Sequence, residues 1–131
     1  MRIGPVVAIL TTTLLTTAAS ASDVRILTLP NSVLGAWAPN ADACKGSGKE
    51  RIEIESKTHK TEDTTCDIAW ITVTASRDGP VYSARSICIQ TKTGKKLEPS
   101  YLVVSPRPDN RLLVRLPNAS LEGQLVTYQK C

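Results

Sequence analysis

Apolar and polar residues alternate along most of residues 33–131. Nowhere there do apolar residues recur at helical spacing for more than about two turns. Arg51-Ile52-Glu53-Ile54-Glu55 sets two isoleucines on one face and the charges on the other, and Arg111–Leu116 does the same with Leu112, Val114 and Leu116. Asp67–Ala75 and Val81–Gln90 are both rich in β-branched residues and flank Ser76-Arg77-Asp78-Gly79, which has glycine where a short hairpin loop needs a positive φ. Val33–Ala38, around Trp37, reads as the first strand, with Leu97–Ser105 and Gln124–Lys130 as later ones. Pro39 to Gly48 and Ser56 to Thr65 read as loops, and Thr93-Gly94-Lys95, Pro106–Asn110 and Asn118–Gly123 as turns. These short strands with hairpin-like connections predict an all-β fold, a small antiparallel meander closed as a barrel or folded as a sandwich.

The four cysteines refine that picture. Folding the central hairpin about residue 77 sets Cys66 opposite Cys88, Ile68 opposite Ser86 and Trp70 opposite Ala84. Directly opposed Cβ atoms lie about 4.5–5.5 Å apart, near the spacing a disulfide needs. Cys44 and Cys131 would then pair and tie the region of the first strand to the last residue of the sequence, which would help close a sheet and favours a barrel over a sandwich. A turn displaced by one residue would instead give Cys44–Cys66 with Cys88–Cys131. Both pairings stay open at this level.

The first residues look like an export signal. Arg2 is a positive n-region, Val6 to Ala19 is uncharged, and Ala19-Ser20-Ala21 is a small-x-small cleavage pattern. The apolar run is short for a bilayer core of about 30 Å, although an uncleaved anchor is the alternative. No cysteine lies near the cleavage site to take a lipid. The expected organisation is a signal peptide over 1–21, an extended segment over 22–32 and one β domain over 33–131. A periplasmic or secreted location follows, where disulfides persist, with no membrane insertion after cleavage.

Candidate chemistry is sparse. His59, the single histidine, sits between polar residues and reads as a solvated loop side chain; without a second histidine or a CxxC pair a metal site lacks its usual ligands. No GxSxG or SxxK motif and no Gly-rich phosphate loop occurs. Glu53 and Glu55 share a strand face, whereas glycosidase carboxylates flank the substrate from different elements. No catalytic residue, metal or cofactor is therefore expected. Sixteen Lys and Arg against 12 Asp and Glu give a net charge of +4, of which cleavage would remove only Arg2. Lys92, Lys95 and Lys96, with Arg107, Arg111 and Arg115, are the local concentrations, and they lack the aromatic platforms of a nucleic-acid binder. The charge supports a mild preference for acidic partners such as anionic envelope polymers. Trp37 and Trp70 both read as core fillers, and Asn118-Ala119-Ser120 matches a glycosylation sequon.

Leu34-Gly35-Ala36-Trp37, Cys44, an Ile-x-Ile strand, Cys66-Asp67-Ile68, a Tyr-containing strand ending at Cys88 and the closing Tyr128-Gln129-Lys130-Cys131 resemble small exported four-cysteine proteins of alphaproteobacteria. That group has no assigned activity, so the resemblance implies compartment and fold. Ser22, Arg25, Leu29-Pro30, Gly35, Trp37 and Cys44 also follow an order similar to that of bacterial inhibitors of secreted zinc proteases, which are lipocalin-like periplasmic barrels. This second resemblance implies that Ser22, Asp23, Val24 and Arg25 form an inhibitory segment entering a protease cleft. The chain departs from that pattern in having four cysteines where two are usual and a longer spacer before Leu-Pro. Two readings result: a non-catalytic exported binding or structural module with an unidentified envelope or secreted protein partner, or a protease inhibitor.

Overall fold

A computed structural model describes residues 3–5, 24–46, 50–117 and 123–131. Most of the expected signal segment, Ser22, Asp23 and the Asn118–Ser120 sequon lie outside the described residues. The fold is all-β: strands β1 (Val24–Ile26), β2 (Gly35–Ala38), β3 (Ile52–Ile54), β4 (Thr58–Lys60), β5 (Thr64–Thr74), β6 (Val81–Gln90), β7 (Ser100–Arg107), β8 (Arg111–Arg115) and β9 (Val126–Lys130). Strands β2 to β9 form an antiparallel up-and-down meander that closes into an eight-stranded barrel where β9 pairs with β2. Closure leaves the barrel itself without a free edge. β1 is the extra strand. It lies against the second half of β5, with Val24 opposite Val73 and Ile26 opposite Ile71, on the same edge that β4 covers over the first half.

Besides shifts of up to three residues at strand ends, with β7 running through Pro106 and Arg107 of an expected turn, four segments differ from the sequence-based expectation. The stretch Ser56 to Thr65 contains β4, and α1 (Ala41–Lys45) interrupts the expected loop from Pro39 to Gly48, its first turn capped by the Asn40 side chain accepting from the Ala43 N–H at 2.8 Å. Val33 ends a 3₁₀ turn (Asn31–Val33), so β2 starts at Gly35. Val24–Ile26, in the segment expected to be merely extended, is a paired strand.

The interior is filled by alternate residues of the strands. Trp37, Ile52, Ile54, Ile71, Ala84, Leu102, Val104, Leu112, Val114 and Tyr128 are buried, with Leu29 and Val33 packed against them. Side chains thus occupy the barrel axis, as expected for eight strands, whose interior is just wide enough to be filled. Cys66–Cys88 and Cys44–Cys131 are both bonded, and the rival pairing does not occur. Cys44–Cys131 links α1 to the β2–β9 seam, where the Cys131 N–H also donates to the Ala36 carbonyl at 2.9 Å. Cys66–Cys88 is a directly opposed pair on β5 and β6, and it is buried.

The β5–β6 hairpin contains the feature that sets the rest. Cys66 faces Cys88 and Ile68 faces Ser86, as the symmetric fold about residue 77 requires. Beyond them the register shifts, so Trp70 faces Arg85 and Ile71 faces Ala84. A bulge at Ala69 absorbs the extra residue. On the turn side Gly79 adopts φ 128°, and its N–H and carbonyl bond the Ser76 carbonyl and hydroxyl.

Candidate binding face and buried polar cluster

A bulge reverses the inward–outward phase of a strand, because side chains alternate with a period of two. Before Ala69 the inward residues of β5 are Cys66 and Ile68; after it, Ile71 and Val73. Trp70 therefore turns outward. Its expected place in the core is taken by Ile71, which is fully buried, while Trp37 does fill the core and donates its indole N–H to the Val33 carbonyl at 3.0 Å.

Outside the barrel Trp70 lies between two guanidinium groups. Arg25 of β1 sits 5.0 Å from its ring centroid and Arg85 of β6 sits 5.1 Å from it. Arg85 also reaches Tyr101 of β7, 5.8 Å from the ring centre, with Nη1 3.4 Å from the hydroxyl. Trp70 and Arg85 are register partners, as are Arg85 and Tyr101. The result is a row of cation, aromatic, cation, aromatic across four strands. Among the described residues neither arginine is ion-paired with a carboxylate. Ile87 and Ile89 continue the exposed face along β6.

His59 is not a solvated loop residue. It is the one inward side chain of β4, only 2% exposed, and its Nε2 lies 2.7 Å from Ser86 Oγ. Ser86 in turn donates to the Ala84 carbonyl, so its oxygen accepts from Nε2–H and the ring's lone pair is on Nδ1. Burial holds the imidazole down at about 4, and it is neutral near pH 7. Polar sequence around an inward histidine leaves no hydrophobic alternation, which is why β4 gave no strand signal. Within register reach lie Cys66, opposite His59, and Cys88, opposite Cys66.

Among the described residues the other titratable groups gather at most into surface ion pairs. Glu53 pairs with Arg51 at 3.3 Å and Lys60 at 3.1 Å, and Glu55 accepts from the Thr58 hydroxyl. Glu53, Glu55, Thr58 and Lys60 line a cleft of about 170 Å³ with His59, and a second of about 210 Å³ lies beside Glu50, Arg115 and Tyr128. Burial and then the Glu50 carboxylate push the Tyr128 hydroxyl up to about 12, so it stays protonated. Both clefts fall below the roughly 300 Å³ at which small-molecule sites begin. Of the expected inhibitory segment, Val24 and Arg25 are built into β1, and Arg25 stacks on Trp70. No helix among the described residues is long and apolar enough to cross a membrane. Comparison with protein-family models, characterised proteins and solved structures finds no match to this chain.

Proposed function

We propose that this disulfide-stabilised barrel is a non-catalytic exported binding module, and that it meets the acidic surface of an envelope or secreted protein partner through the Arg25–Trp70–Arg85–Tyr101 row. The observation that supports this reading is the bulge at Ala69, which turns a tryptophan out of the core and sets it between two arginines that have no carboxylate partner among the described residues. A tryptophan flanked by guanidinium groups supplies rigid apolar area and positive charge together, the composition enriched at binding hot spots. Two disulfides with no free cysteine among the described residues suit an oxidising compartment. The protease-inhibitor reading gains no observation here, since Val24 and Arg25 are paired in the sheet.

Poly-L-glutamate serves as the acidic probe. It should change the tryptophan emission saturably, and added salt should weaken the binding. Replacing both Arg25 and Arg85 by Gln should weaken it by at least about tenfold, the effect of losing roughly 1.4 kcal/mol. Equal binding by that double variant, with its fold intact by circular dichroism, removes this face as the site.

A further inference from the structure

We propose that reduction of the Cys66–Cys88 bond converts the buried end of the barrel into a binding site for a thiophilic divalent cation, Zn²⁺ above all, held by Cys66, Cys88 and His59. The three residues come from β5, β6 and β4, all are buried, and their donor atoms lie within 4.8 Å of one another. Three points no farther apart than that share a centre within about 2.8 Å of each, and Zn–S and Zn–N bonds of about 2.3 and 2.0–2.1 Å need only small further shifts. Rotation of the two cysteine side chains parts the sulfurs once the bond is open.

Two thiolates and an imidazole form a donor set that selects zinc over harder ions. With Ser86 accepting from Nε2–H, the proposed ligand atom of the histidine is Nδ1, and the serine supplies the outer partner that metal-bound histidines ordinarily have. Ser100, opposite Ser86 in the β6–β7 register, holds a buried hydroxyl with no partner among the described residues, a group able to bond a water at a fourth position.

The chemistry balances with a dithiol as reductant. The dithiol delivers two electrons and two protons, the S–S bond breaks, Cys66 and Cys88 become thiols, and the dithiol leaves as a cyclic disulfide. Binding of Zn²⁺ then releases both thiol protons to solvent. Disulfide and metal therefore exclude one another, and the oxidised protein has no site.

Cobalt(II) is the spectroscopic probe for the test. Protein reduced by a dithiol and freed of it under argon should take up one equivalent of Co²⁺, with thiolate-to-cobalt charge-transfer absorption and tetrahedral d–d bands. Zn²⁺ should displace the cobalt and slow re-formation of the bond. The double variant Cys44→Ser/Cys131→Ser should keep the signal, and Cys66→Ser should abolish it. His59→Gln should weaken binding by more than about tenfold, since loss of even an outer partner costs 10–100-fold. Circular dichroism is recorded throughout. If the reduced chain has lost its β spectrum, Zn²⁺ must restore it, and failure to do so overturns the proposal. Absence of charge transfer, or equal affinity in His59→Gln, overturns it as well.

Discussion

The two halves of the β5–β6 hairpin obey different registers, and the contrast explains where this barrel keeps its chemistry. In the half away from the turn, Cys66, Ile68, Ser86 and Cys88 point inward beside His59, giving a sulfur-rich polar interior. In the half next to the turn, Ile71 and Ala84 point inward, and the polar and aromatic groups, Trp70 and Arg85, are outside. One inserted residue, Ala69, separates the two arrangements. A strand that alternated without interruption would bury Trp70 opposite Ala84 and expose Ile71.

Deleting Ala69 is the harshest way to break that contrast. The chain must then sacrifice either the opposed cysteines or the hairpin turn. The expected outcome is loss of the Cys66–Cys88 bond or of the β spectrum, read by disulfide mapping and circular dichroism; a native-like variant with both intact would show that the bulge is dispensable. Next in size is Ile71→Ala, which empties a fully buried site in the turn half and should cost about 2–5 kcal/mol by denaturant unfolding. Removing the bond from the other half, in Cys66→Ala/Cys88→Ala, should cost about 3 kcal/mol for a 22-residue separation, and more as the core loses volume.

Acid probes the same half through His59. Its native pKa, about 4, lies below its ordinary 6.5, so the unfolded chain binds the proton more readily. The stabilisation is whole above pH 6.5, falls as the pH drops from 6.5 to 4, and amounts to about 3 kcal/mol. Burial alone sets this window; Glu53, Glu55 and Lys60, the charged groups that line the cleft with His59, are not among its causes. A His59→Gln variant should unfold with little pH dependence over that range; an unchanged acid slope would place the sensitive group elsewhere. Trp70→Ala has the smallest expected effect, about 1 kcal/mol, because it removes outer cation–π contacts and no core volume. A cost like that of Ile71→Ala would mean that the outer row is structural.

What could be read from the chain follows where alternation had apolar residues to mark it. Val81–Gln90 is a strand over the whole expected span, and Ile52, Ile54, Leu112 and Val114 face inward as their spacing requires. The pairing Cys66–Cys88 was legible because both cysteines lie beyond the bulge, where the symmetric register holds. The bulge itself was not, since a small alanine inside a β-branched run gives no local sign of one. With it went the side that Trp70 occupies, and hence the candidate face. His59 was hidden for a related reason: a three-residue strand with one inward position, filled by a polar residue, has no hydrophobic period to detect. β1 carries no hydrophobic period because two of its three residues are exposed and only Ile26 packs inward.

The seam between β2 and β9 governs when this molecule can fold at all. It joins Trp37 to Lys130 and Ala38 to Gln129, partners more than ninety positions apart, by two register pairs, the Cys131 N–H to Ala36 carbonyl bond and the adjacent sulfur bond. Such distant pairing is the slow kind. A chain that lacks residues 126–131 keeps the preceding hairpins but has an open gap beside β2, with unsatisfied hydrogen-bonding groups on both lips. Closure thus waits for β9, and truncation before Val126 would leave a curled sheet prone to edge-to-edge association.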